Sequence, residues 1–152
     1  MYQTLTFLHS VTRYLVLASL LLAIYTAYKG YFSKNNFTTK DNSVRHWTAT
    51  IAHIQLVIGI ILYSKSPLIK YFWGNFDQAI QDFDSLFFGL IHIFLMLTAI
   101  VFITIGSALS KRKTTDSAKF KTMLIYFSIA LIIIFIAIPW PFSPLSNRPY
   151  FR

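Results

Sequence analysis

The sequence predicts an all-α fold, a four-transmembrane-helix up-down-up-down bundle with an amphipathic interfacial helix between helices two and three. Three observations carry that prediction. Four apolar stretches, 4–28, 47–63, 86–109 and 122–142, each come close to the roughly 17–25 residues that span hydrocarbon as a helix. Only 12% of the 152 residues are charged, about half the share of a soluble domain. The bases sit in connectors between apolar runs rather than over a folded surface. A soluble domain of this composition would expose large apolar patches, so the chain reads as one integral membrane domain, 1–152.

Helix one, 4–28, has no basic segment ahead of it and is followed by Lys29 and Lys34. It is expected to be retained rather than removed as a signal peptide. Helix two, 47–63, follows a connector carrying Lys40 and Arg45. The segment 68–83 places Ile69, Phe72, Trp73, Phe76, Ile80 and Phe83 at helical spacing with Lys70, Asp77, Gln81 and Asp82 opposite. That pattern predicts an amphipathic helix lying on the membrane interface or packed over the bundle as a lid. Helix three, 86–109, leads into Lys111, Arg112, Lys113, Lys119 and Lys121. Helix four, 122–142, ends among prolines with its helical part stopping near Pro139, and Trp140 and Phe142 read as an aromatic belt. Runs such as "ALIIIFIAIPW" lack the alternation of barrel strands.

Nine of the fourteen bases lie in the first and third connectors. The positive-inside rule therefore predicts that these basic loops are cytoplasmic and both termini outside, in a bacterial inner membrane. The net charge of +9 reads as a topology signal, with no nucleic acid partner. Helices one and three each carry a His near the outer end and run to a connector containing "TTKD" or "TTD", an echo that suggests a duplicated hairpin.

The chain has no cysteine, which excludes disulfides, thiolate metal sites, iron–sulfur clusters and covalent haem attachment. Any cofactor must be held by His, Met or oxygen. His46 sits beside Trp47 at the inner edge, as an interfacial side chain would. Counting at 1.5 Å per residue puts His9 ~10 Å and His92 ~8 Å to the outer side of the bilayer centre and His53 ~3 Å to the inner side. His9 and His92 thus share a level on helices expected to face each other across the core. Two neutral imidazoles on opposed helices are the axial pair of a bis-His haem b, with His9 and His92 on the iron and His53 the alternative ligand. Zinc would need further ligands, and all five acids lie in connectors. Arg13, one helical turn from His9, is placed to meet a haem propionate or a quinone head group. Met96 lies one turn from His92 but reads as core filling. His53 and Gln55 point about 200° apart on their helix and cannot serve one partner.

The order "HSVTR", "HIQLVIG", "FGLIHIFLM" and "IPWPF" resembles small four-helix membrane proteins of the cytochrome-b-like kind. More distantly, it is similar to a four-helix half of haem A synthase. The resemblance implies haem b and electron transfer. No acidic residue precedes His9, a departure from the haem A synthase pattern that puts oxidative chemistry on the haem itself in doubt. The expected function is electron transfer between quinol and a partner on the outer face, with quinone as substrate and other membrane subunits as partners. The rival expectation is a non-enzymatic accessory subunit of a larger complex, its histidines bonding helices together. A proton or solute conductor built on Arg13, His53 and Gln55 ranks lower, because no intramembrane carboxylate relays protons. No catalytic triad, phosphate loop or nucleotide motif is present, and enzyme status stays open.

Overall fold

The computed structural model describes residues 1–146 and 148–151. They form α1 (Tyr2–Phe32), α2 (Thr39–Lys65), α3 (Pro67–Gly74), α4 (Phe76–Ala79), α5 (Phe83–Leu86), a π-helical turn (Phe87–Ile91), α6 (His92–Arg112) and α7 (Asp116–Ala137). No strand occurs among the described residues. The run α5, π-turn and α6 is one long helix, Phe83–Arg112. With α1, α2 and α7 it makes four helices long and apolar enough to cross a membrane, which fits an integral membrane protein.

α2 and α7 outrun their apolar stretches because polar residues cap them. The Thr38 hydroxyl accepts from the Asp41 amide while the Asp41 carboxylate accepts from the Thr38 amide, a capping box that starts α2 at Thr39 rather than Trp47. Thr115 accepts from the Ala118 amide and starts α7 at Asp116 rather than 122. The "TTKD" and "TTD" segments that echo each other in the sequence are therefore helix-starting chemistry. Asp82 caps α5 in the same way. The Ser85 hydroxyl at 2.5 Å and amide at 3.0 Å donate to its carboxylate and hold it below the usual carboxylate range.

α1 packs on α2 and α7, and α6 packs on the same two, so α1 and α6 face each other across the core. Small residues let the backbones approach. A Cβ on Gly30 would stand 2.4 Å from the Phe120 ring, and one on Gly106 would stand 2.3 Å from the Cβ of Tyr126. Arg45, expected in a connector, lies within α2 and is buried. It donates to the Ser107 carbonyl at 3.0 Å, to the Ser107 hydroxyl, and to Asn42 Oδ1 at 2.9 and 3.1 Å, tying α2 to α6.

The segment 68–83 is divided among α3, α4 and the first residue of α5, with breaks at Asn75 and at 80–82. Its apolar residues split as well. Ile69 and Phe72 are buried, whereas Trp73, Phe76, Ile80 and Phe83 are exposed. Phe72 stands on Gly89, where a Cβ would meet its ring at 2.6 Å. The Trp73 indole donates to the Tyr63 hydroxyl at 3.0 Å, and that hydroxyl donates to the Gly89 carbonyl at 2.8 Å. α3 is thereby fastened to α2 and to the π-turn at one end of the bundle.

Candidate functional site

At this α3 end the four long helices part around a cavity of about 430 Å³. Its wall is mainly apolar, with Leu56, Met96 and Ile134 among its members. Polar side chains reach it from α1 (His9, Arg13), α2 (Gln55), α6 (His92) and the C-terminal tail (Arg148). In a bundle with so few polar groups, their convergence on one space is the feature to explain.

His92 is the first residue after the π-turn. The partner of its ring follows from the proline spacing at the end of α7. The carbonyls of Phe135 and Ala137 would, in a continuing helix, accept from residues 139 and 141, but both are proline and have no N–H. Side chains take them instead. The Trp140 indole donates to the Phe135 carbonyl at 2.9 Å, and His92 Nδ1 lies 2.9 Å from the Ala137 carbonyl. A carbonyl can only accept, so Nδ1 carries the proton and, on a neutral ring, Nε2 carries the lone pair. Trp140, expected in an aromatic belt, is half-buried and closes the end of α7.

His9 faces His92 across the core, with ring centroids 6.4 Å apart and ring planes inclined by 69°. Among the described residues neither nitrogen of His9 has a protein hydrogen-bond partner, and Nδ1 is buried. The ring lies against Gly59, where a Cβ would stand 3.3 Å from Cε1. Gln55 Nε2 donates to the His9 carbonyl at 2.9 Å and Gln55 Oε1 accepts from the Thr12 hydroxyl, so α2 fixes the turn of α1 that presents the imidazole.

Arg13 donates through Nη2 to the Tyr150 carbonyl at 2.6 Å and to the Tyr14 hydroxyl at 3.0 Å. Arg148 pairs with Asp84 of α5, which also accepts from the Ser146 hydroxyl at 2.6 Å. His53 lies elsewhere. It is exposed on α2, with Nε2 2.9 Å from the Thr104 hydroxyl oxygen, and takes no part in the cavity. Since Thr104 donates to the Ile100 carbonyl at 2.7 Å, His53 is the donor in that pair. His46 is exposed beside Trp47, with rings 5.9 Å apart.

Sequence reasoning passed over Arg148, Asp84 and the Ala137 carbonyl. The proline pair was a usable signal for the last of these. The ion pair joins positions 64 apart and has no local signature.

What the arrangement offers chemically is two imidazoles on opposed helices, one with a lone pair on Nε2 and one without a protein partner among the described residues. Two imidazole nitrogens about 2 Å from one ion put ring centroids about 6 Å apart, close to the 6.4 Å found. No group of three or more His, Cys, Asp or Glu that could hold an ion occurs among the described residues. Comparison of the chain with protein-family models, with curated proteins and with solved structures gives no match.

Proposed function

We propose that this is a membrane haem b protein that transfers electrons between quinol and a partner on the outer face, with His9 and His92 as axial ligands. The observation that carries the reading is a pair of imidazoles facing each other across the core at 6.4 Å, one held by a backbone carbonyl in the tautomer whose Nε2 can ligate iron. When bound, haem supplies a one-electron centre. The chain's own residues hold and tune it. The Ala137 carbonyl orients His92, Gln55 fixes the turn bearing His9, and Leu56, Met96 and Ile134 keep the cavity apolar. The resemblance to small cytochrome-b-like proteins, and more distantly to a half of haem A synthase, implies haem b and electron transfer as well.

On this reading the four helices run up, down, up and down, with both termini and α3 outside and the basic connectors in the cytoplasm of a bacterial cell. α3 and α4 lie at the outer interface, their exposed Trp73 and Phe76 against lipid and their buried Ile69 and Phe72 on the bundle. The support is the distribution of Lys and Arg. Since the chain has no native cysteine, single cysteines at Asn36 and Asn75 are clean reporters. An impermeant thiol reagent applied to intact cells is expected to label the Asn75 position alone, and labelling of Asn36 alone would invert the topology.

The test of the haem reading is the visible spectrum of the purified protein after expression with haem available. A six-coordinate low-spin b-type spectrum that sharpens on reduction by a quinol analogue is expected, and a chain that purifies without a visible chromophore sinks the proposal. The second reading, an accessory subunit whose histidines join helices, has its own support in the His92–Ala137 and His53–Thr104 bonds. It requires no chromophore, so the same spectrum separates the two.

A further inference from the structure

Three buried side-chain nitrogens lack a hydrogen-bond partner among the described residues, His9 Nδ1, Arg13 Nε and Arg148 Nε, and all three residues line the same cavity. Structural cations in this protein are treated differently. Arg45, buried at the opposite end of the bundle, has Nε, Nη1 and Nη2 all engaged. Among the described residues, the charged side chains in the cavity wall are two guanidiniums, Arg13 and Arg148, and one carboxylate, Asp84. Asp84 divides its oxygens between Arg148 and the Ser146 hydroxyl. The Nη2 donors of Arg13 end on two uncharged oxygens, the Tyr150 carbonyl and the Tyr14 hydroxyl. The described wall therefore holds an excess of positive charge and two buried Nε–H groups without a partner.

Aromatic rings hold both guanidiniums in place. Arg13 lies 4.8 Å from the Tyr14 ring and 5.8 Å from that of Trp140, and Arg148 lies 4.9 Å from the Phe88 ring. A stacked guanidinium keeps its planar edge for a carboxylate and forms paired N–H···O bonds with little further ordering. The two come from distant parts of the chain, α1 and the tail beyond α7, and meet only because the tail crosses the α3 end of the bundle, where Pro149 also lines the cavity.

We propose that Arg13 and Arg148 form a receptor for the acid groups of an apolar-bodied dicarboxylic ligand, and that Asp84 and the Tyr150 carbonyl occupy them until it binds. The proposal deepens the haem reading and rests on it for the tetrapyrrole shape of that body. It gives Arg148, Asp84 and the tail a part that axial ligation does not need.

Metal-free protoporphyrin and its dimethyl ester, titrated against the full-length protein in detergent and followed by porphyrin fluorescence, separate acid recognition from iron ligation. The diacid is expected to bind about tenfold tighter than the diester, as charge-assisted bonds to a partly buried acid allow. Arg13→Gln and Arg148→Gln should each shrink that ratio severalfold without weakening the diester. Arg148→Lys should keep part of it, and Asp84→Asn should strengthen diacid binding by freeing Arg148. His9→Ala should leave the ratio intact, since no metal is present. A wild-type ratio near one, a ratio untouched by either Gln variant, or failure of the diacid to bind overturns the receptor. Acid preference persisting in a protein that forms no low-spin complex with iron haem leaves the receptor standing and removes the ligation reading instead.

Discussion

His92→Ala is expected to abolish the low-spin spectrum of the haem-loaded protein, and His9→Ala to do the same. Each removes one axial ligand and leaves iron five-coordinate or lets the haem go. Among the described residues none replaces it at that level, because the soft side chain nearest in sequence, Met96, sits a full turn further along α6. His53→Ala should keep the spectrum, since His53 points away from the cavity to Thr104. Arg13→Ala should preserve the ligation while weakening haem retention or shifting the potential, because it takes away a nearby positive charge and no axial bond. Loss of the spectrum in His53→Ala with survival in His9→Ala would move the axial pair to α2 and α6. Survival in all three variants would remove haem from the account.

Gly106→Val should be the most damaging single change outside the cavity. Any Cβ at position 106 would lie 2.3 Å from the Cβ of Tyr126, an atom attached directly to the α7 backbone. A flexible side-chain tip could swing aside, but this contact yields only if α6 and α7 separate. Overpacking of this kind costs about 3 kcal/mol. The cost falls on an interface that includes the fully buried Ile103, Ser110, Phe127 and Ala130. Unfolding in a graded denaturing detergent, followed by helicity, is the measurement. A midpoint equal to wild type would mean the two helices do not pack here as described. Because Gly106 lies well along α6 from His92, the variant also asks whether the connector end must be intact for the cavity to form.

The four spans could be read from the sequence because their apolar runs are long and scarcely interrupted. What the apolar runs could not give were the true starts of α2 and α7. Those are set by Thr38 with Asp41 and by Thr115, polar residues that a hydropathy reading passes over. The same oversight placed Arg45 in a loop, when capping carries the helix past it and its charge is absorbed by Ser107 and Asn42. For the candidate site, counting residues gives a depth and a relative direction but not which face meets the core. His53 and Gln55 show the difference. Their spacing sets them on opposite faces of α2, but only packing decides that Gln55 reaches the His9 carbonyl while His53 faces outward. Asp84 and Arg148 meet through the path of a proline-rich tail, which has no periodicity to read.

The π-turn at Phe87–Ile91 separates two jobs that one straight helix could not schedule independently. Each residue added to or taken from a helix turns everything beyond it by about 100°, so the five-residue turn sets a phase angle between α5 and α6. Within the turn, Gly89 receives Phe72 and the Tyr63 hydroxyl, and on its α5 side Asp84 meets Arg148. On the other, His92 looks toward His9 while Gly106 seats Tyr126. The rotation of the His92 imidazole relative to the Asp84 end of the same helix is thus fixed by the number of residues in the wide turn. One residue removed from it would swing the ring about 100° away from His9.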